Sequence, residues 1–280
     1  MLDKNNGYKP TKIQDIVFGD NHAKTVVAEI VSGVMPFPFA GVNGIILYGP
    51  NGTGKSALAR ILPTAIESKG SQTEAEADYE FHKITAATDG KELIEQIAYK
   101  TQLVPFGRLR YFVFDEFDLL SPRYVESMKS VMNAELAVFI MTTNSISKID
   151  SSIKSRSHLV HMPFAGAERW LPTMRQVLLD QQVMAPKDQA LLDLVPACKH
   201  DARKIMNATL RMTEDESNEL NLQREKSAHI VKAARSATLA NILAYPGFWA
   251  REPDTGIDMD LGGAREQLEV NLLAPLSLAS

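Results

Sequence analysis

Cysteine is nearly missing from this chain: Cys198 is the single one among 280 residues. That excludes an internal disulfide and a cysteine-rich zinc site. Long apolar runs are missing too, and none approaches the roughly 18 residues that a membrane-spanning helix requires. The opening MLDKNNGYKP lacks the apolar stretch of a signal peptide. The six histidines show no metal-ligand spacing and read as structural or surface residues. A formal net charge of −4 does not advertise nucleic-acid binding. What is present is 45% hydrophobic and 23% charged residues, the composition of a globular chain and not of a disordered or fibrous one. The expectation is a soluble protein of a reducing cytoplasm, of one or two domains, with no membrane partner.

Charge is distributed unevenly. Residues 213–280 hold 11 acids and 6 bases, whereas the 212 residues before them hold 23 acids and 24 bases. The near-neutral front part can therefore still carry a local basic patch.

Periodicity divides the chain. Residues 1–19 read as an extended arm, since Pro10 breaks any helix. Residues 20–34 have helical spacing through Ala23, Val26, Val27, Ile30 and Val31. Short apolar runs near 42–48, 79–85, 109–115, 136–142 and 158–162 read as strands. Helix-like stretches at 55–62, 90–101, 121–134 and 146–155 separate them, the first ending near Pro63. Strands alternating with helices predict a parallel sheet covered on both faces. After Pro163 the stretches 166–182, 186–196 and 200–212 read as helices. Further on, 216–244 reads as one long helix, 246–263 as irregular, and 264–273 as a short last helix. The expected fold class is α/β: a sheet domain over 1–163, a small helical domain over 164–212, and a helical C-terminal segment over 213–280. Trp170 and Trp249 read as packing residues.

Gly49-Pro50-Asn51-Gly52-Thr53-Gly54-Lys55-Ser56 matches the phosphate-binding pattern G-x-x-x-x-G-K-[ST]. Glycines let backbone N–H groups curl around phosphates, and the helix that follows adds its partial positive charge. Lys55 suits the β- and γ-phosphates, and the Ser56 hydroxyl suits Mg²⁺. The strand before and helix after, which this motif requires, are both expected here. Asn51, Gly52, Thr53, Gly54, Lys55, Ser56 and Ala57 are therefore the candidate phosphate cradle.

Tyr111-Phe112-Val113-Phe114 runs into Asp115-Glu116-Phe117-Asp118. A carboxylate at such a strand end falls beside the phosphate loop. Asp115 suits the Mg²⁺ water shell, and Glu116 suits polarising an attacking water. Alone, the same residues can be an exposed acidic loop. Phe139-Ile140-Met141-Thr142-Thr143-Asn144 also ends in polar residues, where Asn144 can orient a water or simply make a turn.

Together these motifs resemble AAA+ ATPases of the clamp-loader group, which includes replication factor C small subunits and their bacterial and phage counterparts. The resemblance runs from Tyr8 to Leu210. Tyr8-Lys9-Pro10 followed by Asp15-Ile16-Val17-Phe18-Gly19 is similar to the arm that wraps adenine in that family, which implies base contacts from Tyr8, Pro10 and Val17. Asn144 through Ser157 aligns without a gap with the first sensor and the Ser-Arg-Cys motif. Asp201-Ala202-Arg203-Lys204-Ile205-Met206-Asn207 looks like the second-sensor helix. The resemblance implies ATP and Mg²⁺ as cofactors, with Ser56 and Asp115 on the metal. It implies Glu116 and Asn144 as catalytic groups, Arg156 as an arginine finger for a neighbouring subunit, and Arg203 on the γ-phosphate of its own subunit. Implied partners are copies or homologues in a ring or spiral of five, DNA, and a sliding clamp.

The chain also departs from that pattern. Ser157 stands where the family has Cys. Val125 and Asn133 replace its Gln and Glu, and Lys129 keeps one of two basic positions. The 68 residues after 212 are fewer than the usual helical collar occupies. Lys91, Lys100 and Lys129 are candidate DNA contacts, though each alone reads as part of a solvated helix face. The alternative is another AAA+ machine that remodels DNA or regulates transposition or recombination without loading a clamp.

Overall fold

The structure is a computed structural model that describes residues 2–3, 7–69, 77–181 and 186–212. Contacts divide the chain into two compact units, Met1–Glu214 and Asp215–Ser280. All described residues belong to the first. The helices expected at 216–244 and 264–273, the irregular stretch between them, and Trp249 lie outside the described residues.

Two short strands, β1 (Leu2–Asp3) and β2 (Gly7–Tyr8), pair antiparallel in the arm. The main sheet comprises β3 (Gly44–Tyr48), β4 (Asp78–Lys83), β5 (Arg110–Asp115), β6 (Ala137–Thr143) and β7 (Ser157–His161). Its order is β4-β5-β6-β3-β7, and every pairing is parallel. A parallel sheet needs both faces covered, so its central strands are near-continuous apolar runs whose successive side chains enter opposite cores. Ile45, Leu47, Tyr111, Val113, Val138 and Ile140 enter one core, under α1 (Asn21–Ser32) and α2 (Lys55–Glu67). Ile46, Phe112, Phe114, Phe139 and Met141 enter the other, under α3 (Gly90–Thr101), α4 (Val125–Val131) and α5 (Ser151–Lys154).

Local sequence sets most helix ends. The Asp20 carboxylate accepts from Ala23 N at 2.7 Å and starts α1, and Gly33 in the left-handed conformation ends it. Asp89 likewise caps α3, accepting from Lys91 N and Glu92 N. Expectation and structure differ at α2, which continues through Pro63 to Glu67. Proline removes one helical hydrogen bond, but Leu62, Pro63 and Ile66 are all buried against the sheet, and that burial offsets the loss. The stretch at 121–134 is also broken, into a 3₁₀ turn at Pro122–Tyr124 and the shorter α4. At 146–155, Asp150 accepts from Ser152 N at 2.8 Å and starts α5 anew after a 3₁₀ turn at Ile146–Lys148.

Beyond the sheet, α6 (Ala167–Asp180), α7 (Asp188–Ala197) and a helix over 202–212 pack around Trp170, Met174, Val177, Leu191 and Ile205. The arm crosses to these helices at Gly19. A Cβ there would fall 2.3 Å from the Pro163 carbonyl oxygen, so the crossing admits only glycine. Arg169 of α6 donates to the Phe18 carbonyl at 3.3 Å and to Asn21 Oδ1 at 3.1 Å, which fixes the arm against the helical cluster. No described helix is long and apolar enough to cross a membrane.

Candidate nucleotide site

The phosphate loop leaves the end of β3 and turns directly into α2. Gly52 and Gly54 have φ of +79° and +88°, a region that side chains disfavour. This backbone has the curled shape that a phosphate cradle requires. It opens onto a cleft of about 640 Å³ where the C-terminal ends of the strands meet the arm and the helix over 202–212. In parallel α/β sheets the strand ends are the position expected for a ligand.

Lys55 Nζ donates to the carbonyls of Gly49 and Pro50 at 2.9 and 2.6 Å. Burial lowers its pKa to about 8, opposed by the carboxylates of Asp115 and Asp118 and assisted by the Arg203 charge. Ser56 Oγ donates to Asp115 Oδ1 at 2.6 Å. These two oxygens form one wall of the cleft. Among the described residues no group of three His, Cys, Asp or Glu side chains could hold a metal. A hydroxyl and one carboxylate facing a phosphate cradle fit Mg²⁺, which keeps several waters and takes few protein oxygens.

Thr142, at the end of β6, also donates to Asp115 Oδ1 at 2.6 Å, and its oxygen accepts from Glu116 N at 3.0 Å. Glu116 itself has φ 61° and ψ 44°, an uncommon conformation for a side-chain residue. Next to it, Thr143 Oγ1 donates to Asp118 Oδ1 at 2.9 Å and accepts from Ser145 N at 3.0 Å, so hydrogen bonds flank Asn144 on both sides. Asn144 is exposed and lines the cleft.

The cleft gathers most residues singled out in the sequence: Pro10 and Val17 from the arm, Asn51 through Ala57, Asp115, Glu116, Asn144 and Arg203. The Tyr8 side chain lies outside the described residues. Arg156 is not part of the cleft. It precedes β7, and its carbonyl accepts from Asn43 N and Gly44 N at the start of β3. The phosphate loop leaves the other end of β3, some 16 Å away at about 3.3 Å per residue over its five residues. The Arg156 guanidinium donates to the Ser152 carbonyl at 3.0 Å.

Several cleft residues were not singled out in the sequence. Thr142 ends the same apolar run as Asn144, and its hydroxyl type was the available signal. Lys83 pairs in register with Asp115, which only the β4-β5 alignment reveals. Trp170 is 5% exposed and belongs to the helical core, yet it also borders the cleft beside Ile16 and Met206. The three candidate DNA-contacting lysines all have acidic partners: Lys91 with Glu95 at 3.8 Å, Lys100 with Glu80 at 2.6 Å, and Lys129 with Glu126.

Fold and site define a P-loop nucleotide-binding protein. Residues 45–162 match the family model of AAA, the ATPase family associated with various cellular activities. Over residues 45–162 the chain thus resembles an AAA ATPase domain, a class that binds ATP with Mg²⁺ and hydrolyses it. Among solved structures it is similar to the Thermotoga maritima RuvB Holliday junction branch migration motor, with a TM-score of 0.58 at 15% identity over 74% of this chain. Two further structures of Thermotoga maritima RuvB, each carrying a substitution, give TM-scores of 0.57 and 0.59 at 16% and 15% identity over the same share. The chain spans 65% of the length of these RuvB chains, and at such identity the likeness is one of fold. No curated protein matches the chain in sequence.

Proposed function

We propose that this chain is one subunit of an oligomeric, DNA-acting AAA+ ATPase of the clamp-loader type, in which a neighbour's Arg156 completes each ATP site. The observation that carries the reading is the position of Arg156. It lies at the end of the sheet opposite its own phosphate loop, which supports a charge that serves the cleft of another copy and not its own. A guanidinium supplied in trans makes hydrolysis depend on assembly, and such fingers are worth about 10³–10⁵ in rate.

Each residue has a role in this reading. The backbone from Asn51 to Ala57 and the Lys55 ammonium bind the phosphates. Ser56 and Asp115 hold Mg²⁺, which when bound offsets charge on the β- and γ-phosphate oxygens. Glu116 takes a proton from the attacking water as Asn144 orients that water. Arg203 contacts the γ-phosphate from the lid. Tyr8, Pro10 and Val17 contact the base. In this reading 1–163 is the nucleotide-binding domain, 164–212 the lid and 213–280 a helical C-terminal segment. The assembly is a cytoplasmic ring or spiral of five that grips DNA and takes a sliding clamp as partner.

A second reading is a DNA-remodelling AAA+ machine that loads no clamp. The fold likeness to a branch migration motor favours it. ATP turnover per subunit, measured against protein concentration alongside light scattering, tests the shared part. Turnover that rises with assembly supports it, and a monomer with flat turnover overturns it. Stimulation by primer–template DNA favours the clamp-loader type, whereas stimulation by branched DNA alone favours the second reading.

A further inference from the structure

The helix over 202–212 touches the phosphate loop directly. Ala202 N donates to the Gly52 carbonyl at 2.8 Å. One residue earlier, Asp201 Oδ1 accepts from Arg203 N at 2.9 Å and from Lys204 N at 3.3 Å, the geometry of an N-cap. The same carboxylate packs on the loop. A Cβ placed on Gly52 would lie 2.6 Å from Asp201 Cγ and 2.6 Å from its Oδ2. Gly52 therefore serves two purposes: its φ of +79° shapes the cradle, and its bare Cα admits the Asp201 carboxylate. Arg203 follows immediately, borders the cleft, and is close enough to Lys55 to help lower the pKa of that lysine.

We infer that Asp201 is a positioning residue: it clamps the start of this helix onto the phosphate loop at Gly52 and thereby holds Arg203 over the bound triphosphate. This rests on the reading of Arg203 as a γ-phosphate contact and adds what aims it. Neither Asp201 nor Gly52 need touch the γ-phosphate. The clamp makes the direction of the Arg203 side chain depend on the loop that wraps the phosphates.

The test uses the full chain and four variants, Asp201→Ala, Asp201→Asn, Arg203→Ala and the Asp201→Ala/Arg203→Ala double, with the ATP dissociation constant and kcat measured for each. Asparagine caps a helix as well as aspartate does, so Asp201→Asn should bind ATP like the parent. Asp201→Ala should weaken ATP binding roughly five- to tenfold, the size of one lost cap or charged hydrogen bond. The double variant should be no weaker than Arg203→Ala, because Asp201 acts through Arg203. If the two losses multiply, or Asp201→Ala binds normally while Arg203→Ala does not, the inference fails and the Arg203 reading stands. If Arg203→Ala binds ATP normally, the Arg203 reading fails and takes the positioning role with it. Should Asp201→Ala not fold, amide hydrogen exchange in the unaltered chain decides: a protected Ala202 amide supports the clamp, and a freely exchanging one overturns it.

Discussion

The Thr142 hydroxyl joins two acidic residues of the neighbouring strand: it donates to Asp115 Oδ1 at 2.6 Å and accepts from Glu116 N at 3.0 Å. One side chain, 2% exposed, thus sets the carboxylate that faces Ser56 and holds the left-handed backbone of Glu116. Thr142→Val keeps the shape and removes both bonds. It should lower kcat by about tenfold or more while ATP binding changes little, and Thr142→Ser should restore turnover. Steady-state kinetics of the two variants decide this, and equal kcat in Thr142→Val and the parent would remove Thr142 from the site.

Thr143, 1% exposed, holds Asp118 at 2.9 Å, and Lys148 adds a longer contact at 3.5 Å. Thr143→Val leaves that carboxylate short of a donor in a mostly buried setting. A loss of about 1–3 kcal/mol in unfolding free energy is expected, read by urea denaturation. Turnover should fall as well, because the same hydroxyl anchors Ser145 N beside Asn144.

Mixing variants tests the role given to Arg156. Glu116→Gln should bind ATP and assemble but hydrolyse slowly, and Arg156→Ala should do the same for a different reason. In a mixture, an Arg156→Ala subunit keeps its own Glu116 and receives Arg156 from a Glu116→Gln neighbour. Mixed assemblies should therefore regain a share of the turnover that both variants lack alone. No recovery on mixing, with assembly confirmed by light scattering, counts against an arginine supplied in trans.

Lys55 gives the site a pH dependence with a defined sign. Burial places its pKa near 8 in the free protein, and phosphates bind the protonated form. ATP affinity should be flat below that value and fall as pH rises through it, toward about tenfold per unit, until the pKa of the bound state is reached. Titration calorimetry at several pH values reads the break. Lys55→Met should bind weakly with no break there, and a parent profile flat to pH 9.5 would exclude this titration.

The spacing GPNGTGKS and the apolar run into Asp115-Glu116 made the phosphate loop and the acidic strand end legible, because each depends on a short contiguous segment. The alternation of strands and helices likewise made the parallel sheet legible. Pro63 misled, since a lost helical bond is a local signal and the burial of Leu62, Pro63 and Ile66 is not. Thr142 passed unremarked because its partner Asp115 is 27 residues away and meets it only through sheet order.

By itself the sequence determined which chemistry the chain can carry. A glycine-rich turn before a lysine, an acid pair after an apolar strand, and an arginine 12 residues beyond Asn144 are properties of the covalent chain. Tertiary structure decided where those groups stand relative to one another. Parallel register brings Asp115, Lys83 and Thr142 to one end of the sheet with the phosphate loop, and puts Arg156 at the other. The helix over 202–212 meets Gly52 because its core of Trp170, Met174 and Ile205 seats it there, across 149 residues of chain. Distances across a sheet are set by pairing and packing, and no local pattern in the sequence encodes them.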